Sequence, residues 1–251
     1  MKAPRVLAVI PARLNSRRFP HKIVYPYRGR PLVLYVYNEI CKARRIDRVV
    51  IATDSREVAD VVTAYGADVV RTSPRHSTGS DRVAEAARKL GGDIIINVQA
   101  DCFGLPASSL DRIVASLLKE RKIGYATVAR PIDSESELQN PNLVKVVAAR
   151  DGRALWFSRS PIPFQRDASG ASTCGNFSYL AHIGVYFFRR AALARFAAWR
   201  MSPLEKAESL EQLRILEHGG VIRLFKTLAR SVSVDSPEDV KKLDALYGGE
   251  T

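Results

Sequence analysis

Four cations, Arg13, Arg17, Arg18 and Lys22, fall within ten residues of the loop sequence that follows the apolar run Arg5 to Ile10. Arginine offers a fork of N–H donors matched to phosphate oxygens, and lysine adds a compact charge, so the cluster suits a polyanion such as a triphosphate. A solvated basic turn gives the same pattern, and spacing alone does not separate the two. Two carboxylates complete the set. Asp101 follows the apolar segment Asp93 to Val98, and Asp235 follows Ser231 to Val234. Aspartates from different strand ends can share one or two Mg²⁺ ions, which keep waters and bridge phosphate oxygens. Asp235 also precedes a helix start in which Ser236 caps, Pro237 takes the first position and Asp239 completes a capping box. That account uses Ser236 and Asp239 and leaves Asp235 unassigned.

Such residues need a frame. Arg5 to Ile10 reads as a strand buried on both faces, followed by a helix over Pro31 to Arg45. A strand at Asp47 to Ala52, a helix at Ser55 to Tyr65, a strand at Ala67 to Arg71, a helix at Ser80 to Leu90, a strand at Asp93 to Val98 and a helix at Pro106 to Arg121 continue the alternation. Strand–helix alternation with short connections implies right-handed βαβ units and a parallel sheet. After about Gly124 the pattern changes. Strands are expected at Tyr125 to Ala129, Leu143 to Ala149, Ala154 to Ser158 and His182 to Phe188, with Asp151-Gly152 as a hairpin turn. Helices follow at Ala191 to Trp199 and Pro203 to His218, then strands at Val221 to Lys226 and Ser231 to Val234, and a closing helix at Ser236 to Leu246. The stretch Gln165 to Tyr179, rich in Ser, Gly and Ala, reads as a loop. One domain over 1–251 is expected, its core about 1–124 and 220–251 and its inserted lobe about 125–219. Ligands of such a sheet bind beyond the carboxyl ends of its strands, where Asp101 and Asp235 lie.

With 251 residues, 46% of them hydrophobic, the chain can bury a sizeable core. No run of eighteen apolar residues suggests a membrane span, and Met1 to Ile10 reads as a first core strand instead of a signal peptide. Cys41, Cys102 and Cys174 are scattered and form no CxxC pair, which argues against a disulfide framework or zinc site and for a reducing cytoplasm. The formal charge of +13 fits either an anionic small substrate or nucleic acid. No helix-turn-helix, zinc-finger or aromatic RNA-platform pattern supports the latter. The loop after the first strand is neither GxGxxG nor GxxxxGK, which excludes the dinucleotide fingerprint and the P-loop there.

Ile10 to Val24 reads I-P-A-R-L-N-S-R-R-F-P-H-K-I-V. It resembles the signature I-P-A-R-x-x-S-T-R-L-P-G-K-P-L of the 3-deoxy-manno-octulosonate (Kdo) cytidylyltransferases, with Arg17 in place of Thr and His21 in place of Gly. Further segments match in order along nearly the whole chain. Val50-Ile51-Ala52-Thr53-Asp54 is similar to V-A-T-D, and His76 to Arg82 (H-S-T-G-S-D-R) to H-x-S-G-T-E-R. Asn140-Pro141-Asn142 with Val144-Lys145-Val146, Phe157-Ser158-Arg159 with Ile162-Pro163, and His182 to Tyr186 (H-I-G-V-Y) resemble family segments too. So do Ser202-Pro203-Leu204-Glu205 and Leu210 to Arg214 (L-E-Q-L-R). One segment departs: V-Q-A-D-C-F (Val98 to Phe103) stands where the family has V-Q-G-D-E-P.

The resemblance implies an α/β fold, a mostly parallel, Rossmann-like nucleotidyltransferase sheet with a smaller mixed or antiparallel lobe for sugar binding and dimerisation. It implies transfer of CMP from CTP to Kdo or a close acidic sugar with release of pyrophosphate, a step towards lipopolysaccharide. The implied catalytic residues are Asp101, Asp235, Lys22 and Arg13, with Asp101 and Asp235 holding Mg²⁺. CTP would lie against Pro11, Ala12, Arg13, Arg18, Lys22, Ser77, Thr78, Gly79 and Ser80. The sugar acid would meet Arg82 through its carboxylate and Gln99, His182, Glu211 and Gln212 through its hydroxyls. Taken singly, His182 is more often a structural histidine on an apolar strand, Glu211 and Gln212 an ordinary helix surface, and Ser80 a helix cap with Asp81 favouring the dipole. A cytoplasmic homodimer without nucleic-acid or membrane partners is expected. Three alternatives stay open at this point: a relative that activates amino-Kdo or a carboxylate-bearing phosphonate, with Cys102 as a pocket wall; a basic nucleic-acid-binding protein; and a lapsed, regulatory relative that binds nucleotide without turnover.

Overall fold

The computed structural model describes residues 5–14, 19–166 and 177–248. Its strands are β1 (Val6–Ala12), β2 (Pro26–Tyr27), β3 (Arg30–Pro31), β4 (Arg48–Thr53), β5 (Val69–Arg71), β6 (Ile94–Val98), β7 (Cys102–Phe103), β8 (Tyr125–Pro131), β9 (Lys145–Ala148), β10 (Ala154–Ser158), β11 (Leu180–Arg189), β12 (Ile222–Lys226) and β13 (Val232–Ser233). The α-helices are α1 (Leu32–Cys41), α2 (Arg56–Ala64), α3 (Gly79–Leu90), α4 (Ala107–Lys119), α5 (Glu135–Gln139), α6 (Arg190–Ala198), α7 (Pro203–Glu208), α8 (Gln212–Glu217) and α9 (Asp244–Tyr247).

Every residue of β1 is buried, as its unbroken apolar run requires of a central strand. Its side chains alternate between two cores. Val6, Ala8 and Ile10 pack with α1, α2 and α4, while Leu7 and Val9 pack with α3, α6 and α8. A sheet with helices on both faces results. Its order is β10-β9-β11-β6-β1-β4-β5, with β8 joined to β11 and β12 to β8. Pairings β1–β4, β1–β6, β4–β5 and β8–β12 are parallel, whereas β11 runs antiparallel to both β6 and β8. The segment after Gly124 therefore extends the same sheet through β8 to β11.

Two expected helices take another form. Pro203 to His218 breaks at Ser209, whose left-handed backbone (φ 53°) closes α7 while the Leu210 N–H reaches the Glu205 carbonyl. The bend brings Glu205 and Arg214 face to face, and that buried pair defines the corner. The closing helix is a 3₁₀ stretch, Pro237–Leu243, before α9. Its start matches expectation: Ser236 and Asp239 form the capping box behind Pro237. Helix α3 is capped by Thr78 with Asp81, not by Ser80. Thr78 is the last extended residue (φ −123°), so its hydroxyl, and not the next turn's, faces the free N–H groups. Ser80 is buried and accepts from the Asn97 amide at 3.2 Å. Most of the loop read over Gln165 to Tyr179 lies outside the described residues.

Candidate active site

Two cavities meet beyond the carboxyl ends of β1 and β6. The first, of about 360 Å³, is lined by Pro11, Arg13, Lys22, Ser77, Thr78, Gly79, Gln99, Asp101 and Glu211 among others. The second, of about 370 Å³, includes Ser80, Gln99, Asp101, Cys102, Arg159, His182, Tyr186, Glu211 and Gln212. Gln99, Asp101 and Glu211 line both, so they form the neck between a cationic chamber and a polar one. A larger cavity of about 430 Å³ between α3 and α6 is lined by five alanines and Leu193 with His76, Asp81, Arg88 and Arg190, and it lies away from the carboxyl ends of β1 and β6.

The cationic chamber is built from β1's end and α3's start. Arg13 donates to the His76 carbonyl at 2.9 Å, which ties the loop after β1 to the segment before α3. Lys22 reaches across to Asp101, its ammonium 2.5 Å from Oδ2 and 2.8 Å from the Val234 carbonyl. Three distant segments thus meet at one ammonium. Asp235 follows Val234 directly, and its N–H donates to Asp239 at 2.9 Å. Asp235 is half-buried and lies outside the lining of either cavity. Ala12 is fully buried beneath the chamber. Arg18 falls outside the described residues.

The polar chamber gathers residues from β11, α8 and the end of β10. His182 lies against Thr127, with Nε2 2.8 Å from its hydroxyl oxygen. That hydroxyl donates its one proton to the Val185 carbonyl at 2.8 Å, so His182 donates to it and keeps Nδ1 as an acceptor. Burial holds His182 down to about 3. It is therefore neutral at ordinary pH. Burial pushes the Glu211 carboxyl up, against the Ser80 hydroxyl that stabilises its charge. Gln212 accepts from the Tyr186 hydroxyl at 2.9 Å. Gly184 leaves room at the neck: a Cβ there would stand 3.2 Å from Cγ of Gln99.

The depressed His182 has a consequence for stability. Its unfolded value is about 6.5, so below that pH the unfolded chain takes up a proton that the folded chain refuses. The neutral ring's contribution is complete above about 6.5 and falls as pH drops towards 3, by at most about 1.4 kcal/mol per pH unit. Chemical denaturation at pH 7 and pH 4.5 should show the wild type losing more stability than His182→Asn. Equal losses would remove the assignment.

One expected residue is elsewhere. Arg82 is 1% exposed and lines neither chamber. It is bound to Asp54 at 2.9 Å and to the Thr72 hydroxyl. As the fourth residue of α3 it points back under the helix to the end of β4, so the carboxylate role read for it from sequence does not fit its position. Arg159, the first residue after β10, is the arginine that lines the polar chamber. Its position at a strand's carboxyl end was the available signal. Cys102 is a wall of the same chamber, paired across β7–β13 with Ser233, and burial beside Asp101 pushes its thiol up to about 12. It is no thiolate nucleophile.

The cytidylyltransferase family model matches residues 7–228, which include every lining residue of the cationic chamber and all of the polar chamber's except Ser231, Val232 and Ser233. A Geobacter metallireducens protein described as 3-deoxy-manno-octulosonate cytidylyltransferase is 41% identical over 244 residues, covering 95% of this chain and 96% of that protein. An Anaeromyxobacter protein of the same description is 43% identical, covering 96% of each. Among solved structures, CMP:2-keto-3-deoxy-manno-octonic acid synthetase complexed with CTP superposes with a TM-score of 0.89 at 34% identity, over 98% of this chain and all of that one. The inositol-1-phosphate CTP transferase from T. maritima shares the fold alone, at a TM-score of 0.65 and 16% identity. Fold and site thus define a cytidylyltransferase. Within that class, the chain belongs to the 3-deoxy-manno-octulosonate cytidylyltransferase family.

Proposed function

We propose that this chain transfers the CMP group of CTP to the anomeric hydroxyl of Kdo and releases pyrophosphate, with Mg²⁺ as the required cation. The reading is carried by the neck: Gln99, Asp101 and Glu211 border a cationic chamber on one side and a polar, arginine-bearing chamber on the other. A triphosphate in the first and an acidic sugar in the second would meet at Asp101.

In the reaction the hydroxyl oxygen bonds to the α-phosphorus, the α–β bridging bond breaks, and the hydroxyl proton leaves to solvent. Arg13 and Lys22 neutralise the triphosphate and the departing pyrophosphate, so Lys22 exchanges the Asp101 carboxylate for phosphate oxygens as nucleotide arrives. Arg159 receives the sugar carboxylate, and Gln99, His182 and Gln212 fix its hydroxyls. Asp101 and Asp235 would hold Mg²⁺. The described residues contain no cluster of three or more His, Cys, Asp or Glu. A pair of carboxylates leaves positions for waters and phosphate oxygens, as Mg²⁺ requires. When bound, the ion supplies charge neutralisation and lowers the pKa of the attacking hydroxyl.

The test is pyrophosphate release from CTP, Mg²⁺ and Kdo by the purified chain. Release that depends on all three supports the reading, and none with Kdo at saturating CTP and Mg²⁺ would overturn it. Cys102 on the chamber wall favours a second reading, a different acid. Faster turnover of amino-Kdo or a carboxylate-bearing phosphonate in the same assay would select it. No helix among the described residues is long and apolar enough to cross a membrane. We place the reaction in the cytoplasm as a homodimer, which cell fractionation and sedimentation of the purified chain test directly.

A further inference from the structure

Lys145 opens β9 and is fully buried. Its ammonium donates to the Asn140 carbonyl at 3.0 Å, to the Leu143 carbonyl at 2.8 Å and to the Arg159 carbonyl. An ammonium has three donors, and all three are spent on backbone of two separate segments. Among the described residues no carboxylate forms an ion pair with it, although the Glu208 charge favours its protonated form. Burying an ammonium is costly, and the three carbonyl acceptors are what compensates that cost.

Both segments that Lys145 ties line the polar chamber, through Asn142 and Leu143 on one side and Arg159 on the other. The Arg159 guanidinium depends on the same frame. Nη1 donates to the Pro141 carbonyl at 3.0 Å, inside the turn that Lys145 pins at Asn140 and Leu143. Nε donates to the Glu208 carbonyl at 2.7 Å, and Nη2 lies 3.5 Å from the Ser209 carbonyl. Three of the five guanidinium donors are thereby engaged, and two remain for an anion in the chamber.

We propose that Lys145 is a positioning residue for acid recognition: by fastening the 140–143 turn to the backbone of residue 159, it aims the Arg159 guanidinium at the substrate carboxylate. This rests on the functional reading above. Loss of the ammonium removes the donor shared by the three carbonyls, leaves the Asn140 carbonyl with the Leu143 N–H at 3.1 Å alone, and unfastens from the backbone of residue 159 the turn to which Nη1 is anchored. The cationic chamber contains none of these segments and is untouched.

The experiment is a kinetic cycle on the full chain with CTP, Mg²⁺ and Kdo, using Lys145→Met, Lys145→Arg, Arg159→Ala and Lys145→Met with Arg159→Ala. Lys145→Met should raise the KM for Kdo about tenfold or more while moving the KM for CTP less than twofold. Lys145→Arg, which keeps charge and donors, should recover part of that. In the Arg159→Ala background Lys145→Met should add almost nothing, because the group it aims is gone. The proposal fails if Lys145→Met raises both KM values alike, or still raises the KM for Kdo tenfold without Arg159. Should Lys145→Met not fold, Lys145→Gln runs the same cycle with a donor retained. A wild-type chain inactive with Kdo overturns the parent reading before any variant is made.

Discussion

Asp101→Asn should lower kcat roughly a thousandfold, about 4 kcal/mol of transition-state stabilisation, while the chain stays folded. The expectation comes from position. Asp101 borders both chambers, touches Lys22 at 2.5 Å, and is the one strand-end carboxylate at the neck. Asparagine keeps the shape and removes the charge, so neither the cation nor the Lys22 ammonium finds its carboxylate. The pair is part-buried, Lys22 12% and Asp101 29% exposed, and in the variant the ammonium keeps the Val234 carbonyl and can take the asparagine amide oxygen. Melting temperature should stay within a few degrees of wild type. The measurement is initial-rate pyrophosphate release at saturating CTP, Kdo and Mg²⁺. A rate near wild type under those conditions would remove Asp101 from the mechanism.

Glu205→Gln should lower the melting temperature by roughly 10 °C. Glu205 and Arg214 are 3% and 4% exposed and paired through two N–H···O contacts, Nε to Oε2 at 2.6 Å and Nη2 to Oε1. Arg214 also lies over the Phe196 ring, 4.6 Å from its centre, and donates to the Trp199 carbonyl at 3.2 Å. Removing one partner strands the other charge in the interior, which costs about 3–5 kcal/mol, and a chain of this length loses about 2–4 °C per kcal/mol. Replacing both residues by Met removes the stranded charge and should restore much of the loss. Scanning calorimetry on the wild type and the two variants decides the matter. A shift of 2 °C or less for Glu205→Gln would show that the corner does not depend on the pair. Because Glu211 and Gln212 sit just past that corner, the variant should also weaken Kdo turnover.

Much of this architecture can be read from the chain. Continuous apolar runs mark β1, β4 and β6, because strands covered on both faces need no alternation. Asp101, Lys22, Arg13 and the Thr78-Gly79 turn fall together as expected, since residues just after parallel strands share one edge. Other features depend on partners far along the sequence. Arg82 and Arg159 look alike on paper, and only the packing of α3 on β4 buries the first under Asp54. The corner at Ser209 carries no Gly or Pro, so a single helix was the natural reading of Pro203 to His218. A buried ion pair nine residues apart makes the turn. Lys145 stands in a family-like segment, but its burial and contacts carry no sequence signal, for its three partners are backbone carbonyls, which every sequence supplies.

The placement of β11 has a consequence for synthesis. Strand β6 leaves the ribosome with β1 and β4 already available, yet its second neighbour is the β11 segment Val185–Arg189, about ninety residues later. At about 5–20 residues per second, the Ile94-Ile95-Ile96 edge waits roughly five to twenty seconds without its cover. Unpaired apolar edges are where nascent chains associate wrongly. Yield during fast expression should therefore be limited by that interval, and slower translation or a lower growth temperature should raise the soluble fraction.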